Sequence, residues 1–157
     1  MKKLQLAVFI VSAMLLQSCT TVPVAQVGTN EAKQALSFQA EADKAVVYLY
    51  RAKKSNYGLF AIDVTFNGKS VSTIGNGFLR VAMEPHEYIV IVDLPELTSK
   101  EREFHLNAQP GSITFLEMQL ENRLVLGGIT SLKHVPKDEA VKYINHAGLI
   151  AQVPARL

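Results

Sequence analysis

Residues 45–51 read Ala-Val-Val-Tyr-Leu-Tyr-Arg, apolar at odd and even positions alike, which predicts a central strand covered on both faces. Downstream the period becomes two. Ile62, Val64 and Phe66 alternate with Asp63, Thr65 and Asn67, and Asn67-Gly68 then predicts a two-residue type I′ hairpin turn, in which both central residues take positive φ. Residues 69–74 read as the return strand and Gly75-Asn76-Gly77 as a second turn. Leu79, Val81 and Met83 face one way on the next strand, with Arg80 on the other side. A turn over residues 84–87 leads into an aliphatic strand over 88–94, and Phe104 and Leu106 point inward from a strand over 101–107. Pro110-Gly111 turns the chain again into residues 113–120, where Leu116, Met118 and Leu120 share a side. About eight short strands with turns at regular spacing predict a mainly β fold, an antiparallel β-sandwich of transthyretin-like or immunoglobulin-like type.

A short helix is expected at each end. Residues 31–42 are rich in helix formers, have Asn30 as candidate N-cap, and place Ala32, Ala35, Leu36 and Ala40 at helical intervals. So thin an apolar stripe predicts a spacer helix resting loosely on the domain. Near the C-terminus, Pro136 stands at a first helical position, Asp138 and Glu139 fall in the first turn, Val141 and Ile144 share a face, and Gly148 follows the end. Between the two, residues 123–134 leave strand and loop both open, because Leu124-Val125-Leu126 runs into Gly127-Gly128.

The N-terminus carries an address. Lys2 and Lys3 precede an apolar run over residues 4–16, too short to span a bilayer, and the single cysteine of the chain follows at Cys19. Leu16-Gln17-Ser18-Cys19 resembles the lipobox of a bacterial lipoprotein signal, with Gln17 where small or aliphatic residues are more usual. The competing reading is an ordinary secretory signal with a chance cysteine. The resemblance implies a diacylglyceryl group on the Cys19 thiol, cleavage before it, and acylation of the new amino terminus by a fatty acid such as palmitate. An aspartate next to the cysteine is the usual mark for retention in the inner membrane; Thr20 and Thr21 stand there, which implies the outer membrane with the domain in the periplasm. The chain thus divides into a signal peptide (residues 1–18), a lipidated cysteine with linker and short helix (19–43), and a β-sandwich domain with its C-terminal helix (44–157). Residues 20–30, with their Thr, Val, Gly and Pro, read as flexible linker.

Without Lys2 and Lys3, 14 of the 16 basic residues remain against 14 acidic ones, so the mature chain is neutral and nothing draws it to nucleic acid. With Cys19 lipidated no thiol is left for a disulfide, and stability has to come from packing.

Residues 45–51, Gly58, the segment 64–69 with its Asn67-Gly68 turn, Gly75-Asn76-Gly77-Phe78 and the Pro85 turn resemble a family of short bacterial lipoproteins known as domain of unknown function 2846. The resemblance covers residues 45–120 and implies a small, mostly β domain of the sandwich type, with no activity attached. Where the family pattern has Pro-Gly-x-His, this chain has Pro85-His86-Glu87-Tyr88.

Catalytic chemistry finds little footing. His86, His105, His134 and His146 form no His-x-His pair and no His-Glu-x-x-His motif, so no metal site and no cofactor is expected. No Gly-x-Ser-x-Gly elbow occurs, and Glu101 and Glu103 flanking Arg102 have the look of a solvated strand face. The chain is therefore read as a non-enzymatic, lipid-anchored structural or interaction module, its partners being the membrane through the lipid and another envelope protein. The alternative is a binder of a peptide, glycan or small molecule at the sandwich loops, with Arg51, Lys53, Lys54 and Tyr57 as the binding loop.

Overall fold

The computed structural model describes residues 24–51, 61–93, 103–123, 127–154 and 157. In chain order they form α1 (Asn30–Ser37), β1 (Ala45–Arg51), β2 (Ile62–Phe66), β3 (Lys69–Thr73), β4 (Gly77–Met83), β5 (His86–Asp93), β6 (Phe104–Ala108), β7 (Ile113–Arg123), β8 (Gly127–His134), α2 (Lys137–Ala147) and β9 (Ile150–Gln152). The fold is mainly β, with two sheets and two short helices. One sheet has the order β8-β7-β1-β4-β9 and the other β3-β2-β5-β6.

Most pairings are antiparallel, but β1 runs parallel to β7, from Val46 opposite Ile113 to Arg51 opposite Met118, and β4 runs parallel to β9. This corrects the purely antiparallel expectation. Alternation reports which face a side chain takes and says nothing about the direction of the neighbouring strand. The doubly apolar β1 does behave as predicted: all seven of its residues are buried. Ala45, Val47 and Leu49 enter a core shared by both sheets, beside Ile62, Val64 and Phe66 of β2, Val90 and Val92 of β5, and Leu106 of β6. Val46, Tyr48 and Tyr50 enter a second core on the other face of the same strand, with Phe78, Phe115, Ala35, Phe38, Val135, Ala140 and Ile144. The five-stranded sheet is thus covered by its partner sheet on one side and by the helices on the other, while the four-stranded sheet keeps an uncovered outer face that is polar apart from Ile89 and Ile91.

The first helix is shorter and better packed than its sequence suggests. Thr29, one residue earlier than expected, is the N-cap, its hydroxyl accepting from the Ala32 N–H. Phe38 adopts a left-handed conformation, φ 50°, and ends the helix, so Ala40 never joins it. That conformation is costly for a residue with a Cβ. It is held by the Phe38 ring packing 5.2 Å from Tyr48 and 6.3 Å from Phe115. Ala32 and Ala35 are buried, and their small side chains let the helix backbone approach the sheet closely enough for the Tyr48 hydroxyl to donate to the Ala35 carbonyl at 3.0 Å. That carbonyl is in the last turn, where helices leave acceptors unused. The loose spacer helix is overturned: a thin alanine stripe here means close approach.

At the other end, Pro136 sits at the N-cap rather than the first helical position, and Gly148 at φ 61° closes α2 with its N–H directed to Asn145 and Ile144 carbonyls. Of the ambiguous stretch, Leu124, Val125 and Leu126 lie outside the described residues, while Gly127–His134 form β8, paired antiparallel with β7 from Leu116 opposite His134 to Arg123 opposite Gly127. Asn67 and Gly68 both have positive φ, 48° and 79°, as the predicted turn requires.

Side chains stitch the two sheets at both margins. Gln152, fully buried on β9, accepts from the Ile74 N–H at 3.3 Å and donates to the Ser72 carbonyl of β3. At the other margin the buried Thr130 hydroxyl of β8 donates to the Val92 carbonyl of β5 at 2.9 Å.

Candidate functional site

The residues singled out from the sequence do not assemble into one site. Cys19, Lys53, Lys54 and Tyr57 lie outside the described residues. Arg51 is the last residue of β1, 3% exposed, with its guanidinium pKa lowered by burial. Its carbonyl accepts from the Tyr143 hydroxyl of α2 at 3.2 Å, and the Tyr143 and Tyr50 rings stack 5.1 Å apart. Arg51 therefore belongs to the core end of the strand and is not displayed with the loop it was grouped with. The sequence contained this signal, since Arg51 falls in step with Ala45, Val47 and Leu49 on the inward face.

The described residues offer a different concavity, of about 440 Å³, over one end of the four-stranded sheet. It is lined by Asn67, His86, Glu87, Tyr88, Ile89, His105, Leu106 and Asn107. The register explains the convergence: β5 and β6 place Glu87 opposite Asn107 and Ile89 opposite His105, so these four side chains share the outer face. Asn67 then closes the end. Its amide oxygen accepts from the Ile89 N–H at 2.8 Å, its amide nitrogen donates to the Glu87 carbonyl at 3.1 Å, and its own N–H donates to the Ile89 carbonyl at 3.0 Å. One asparagine thus pairs with Ile89 through both its backbone N–H and its side-chain oxygen, carrying the β2–β5 ladder one residue past Phe66. The hairpin was legible in the sequence; this reach across to β5 was not, because nothing in Asn-Gly says which third strand lies alongside.

Chemically the concavity is a solvated polar shelf with an apolar floor. Ile89 is 40% exposed, His86 stands edge-on to Tyr88 with ring centroids 5.7 Å apart, and Tyr88 donates to the Glu84 carbonyl at 3.0 Å. Burial raises the Tyr88 pKa, with the Glu84 charge adding to it. Among the described residues no three His, Cys, Asp or Glu side chains are grouped to hold a metal ion. The shelf presents amides, imidazoles and one carboxylate to a polar ligand or to an extended chain.

A second, shallower depression of about 530 Å³ lies where the chain enters the domain, between residues 24–31 and residues 153–154. There the Ala25 N–H donates to the Ala151 carbonyl at 3.1 Å, fastening the incoming segment to β9.

Among the described residues no helix is long and apolar enough to cross a membrane. The chain matches no family model, no curated protein and no solved structure.

Proposed function

We propose that this chain is a lipid-anchored lipoprotein of the bacterial outer membrane whose periplasmic domain works by contact, as a structural or interaction module of the envelope, without catalysis. The carrying observation is the placement of Cys19, the single cysteine of the chain, three residues after the apolar run over residues 4–16 that follows Lys2 and Lys3. Both cores are built from aliphatic and aromatic side chains, in keeping with a domain that needs no disulfide. The layering of two sheets about one apolar core supports a β-sandwich, transthyretin-like or immunoglobulin-like; membership of domain of unknown function 2846 rests on the resemblance of residues 45–120 alone.

A second reading, binding of a peptide, glycan or small molecule, draws support from the shelf between Asn67 and Asn107 rather than from the loop around Tyr57. A melting shift with a ligand and no partner protein favours it, whereas capture of one envelope protein by cross-linking in intact cells favours the module.

The lipid anchor is tested by growing cells with radioactive palmitate. Wild-type protein should take up label and Cys19→Ala should not, with the domain equally folded in both. Label persisting in the variant removes the lipoprotein reading.

A further inference from the structure

Three of the five large apolar side chains that stay exposed among the described residues lie at the entry of the chain into the domain: Val24 at 44%, Val27 at 99% and Ile150 at 37%. Val27 is not on a loose end. The Thr29 N–H and hydroxyl both donate to the Gln26 carbonyl, at 3.1 and 2.9 Å, and Gly28 has φ 89°, so Val27 is displayed near the apex of a closed turn. Turn apices ordinarily carry Gly, Pro, Asn, Asp or Ser. The Ala25 bond to Ala151 sets this turn beside Ile150 on β9.

The tether decides what meets this rim. Four residues separate Cys19 from Val24, five steps of the chain with a reach of at most about 18 Å. A domain of this length has a radius of gyration of about 14 Å and a diameter of about 36 Å. A leash half the width of the body cannot let the far side swing to the bilayer. Building on the lipid anchor argued above, we propose that the rim of Val24, Val27 and Ile150 rests in the boundary between headgroups and acyl chains of the leaflet that holds Cys19, fixing the shelf of the four-stranded sheet away from that surface. Of the residues lining the depression beside the rim, Glu31 alone is charged. The contact is therefore apolar and indifferent to anionic lipid, unlike a polybasic membrane patch.

The test uses the mature lipidated protein, purified from cells and reconstituted in vesicles of neutral or of mixed neutral and anionic phospholipid. With Cys19 acylated, a fluorophore on Val27→Cys or Asn107→Cys labels a unique thiol. Lipids brominated near the headgroup end of the chain should quench the label at position 27 at least about threefold more than at 107, equally in both vesicle types. Adding Val27→Asp should lower quenching of a label on Ile150→Cys by about half, and leave the melting temperature unchanged because that side chain is exposed. Equal quenching at 27 and 107 overturns the orientation, as does quenching at 27 that falls as protein density rises, which would mean a second copy covers the rim. Mass spectrometry of the same sample separates the two premises: a lipidated protein with equal quenching sinks the orientation alone, and an unlipidated one sinks the anchor and the orientation together.

Discussion

Replacing Tyr48 with phenylalanine removes one oxygen from the middle of the second core and almost no volume. The Tyr48 ring is fully buried, stacked 5.0 Å from Phe115 and 6.1 Å from Phe78, and phenylalanine keeps those contacts. What goes is the bond to the Ala35 carbonyl at 3.0 Å and the contact of the hydroxyl with the Arg80 guanidinium, which also pairs with Glu41. A buried acceptor left without its donor costs about 1–3 kcal/mol, against about 1 kcal/mol for an ordinary net hydrogen bond. Because a helix-end carbonyl can regain water by fraying, a loss of about 1–2 kcal/mol is expected. For a domain spanning residues 24–157 the unfolding entropy is roughly 0.28 kcal/mol/K, so the melting temperature should fall by about 4–7 °C. Circular dichroism melts read the global change, and amide hydrogen exchange should show α1 opening before the strands. Tyr88→Phe is the matched control: it deletes an equivalent bond to the Glu84 carbonyl at an exposed site and should shift the melt by less than about 2 °C. Equal shifts in the two variants, or none for Tyr48→Phe, would refute the idea that this hydroxyl fastens α1 to the sheet.

Gly68→Val should destabilise the domain by more than about 1 kcal/mol in urea titration, since φ 79° resists a β-branched residue although the space beside it is open. Gln152→Leu removes the link from β9 to Ser72 and Ile74; a loss of about 2 kcal/mol in the same titration is expected, and a neutral outcome would mean the margin is closed by packing alone. Alkaline pH should unfold the protein through its tyrosines. Burial raises Tyr50 and Tyr48 above their usual value of 10.0, with Glu117 and Glu139 adding to Tyr50, so their neutral forms stabilise the fold fully below pH 10. Above that the unfolded chain loses protons the folded one keeps, and stability falls as pH rises; Tyr50→Phe should flatten the decline measured between pH 10 and 12.

What the sequence disclosed, and what it hid, follow from the range of each signal. The alternation of Ile62, Val64 and Phe66 and the Asn67-Gly68 turn are local, and the β2–β3 hairpin was legible from them. So was the double burial of β1, because a strand covered on both sides has no polar phase. The β1–β7 pairing was not, since Val46 and Ile113 stand 67 positions apart and nothing local encodes their direction. The three-residue β9 is too short to show a period. Phe38 ends α1 only because a distant aromatic cluster holds it left-handed. At the candidate site, Asn67, Glu87 and Asn107 look like ordinary solvated positions until the register brings them to one shelf.

The parallel pairings govern when this protein is able to fold. β1 is the middle strand of the five-stranded sheet, yet its partner β7 is not available until residues near 113 emerge, and β4 waits for residues 150–152. Gln152, which links the sheets at one margin, is in β9, the last strand among the described residues. Non-local closure of this kind is slow and cannot be completed on a partial chain. A polypeptide threaded through a secretion channel amino end first would arrive extended, with its sheets still open, and would reach its final form only after the carboxyl end had crossed.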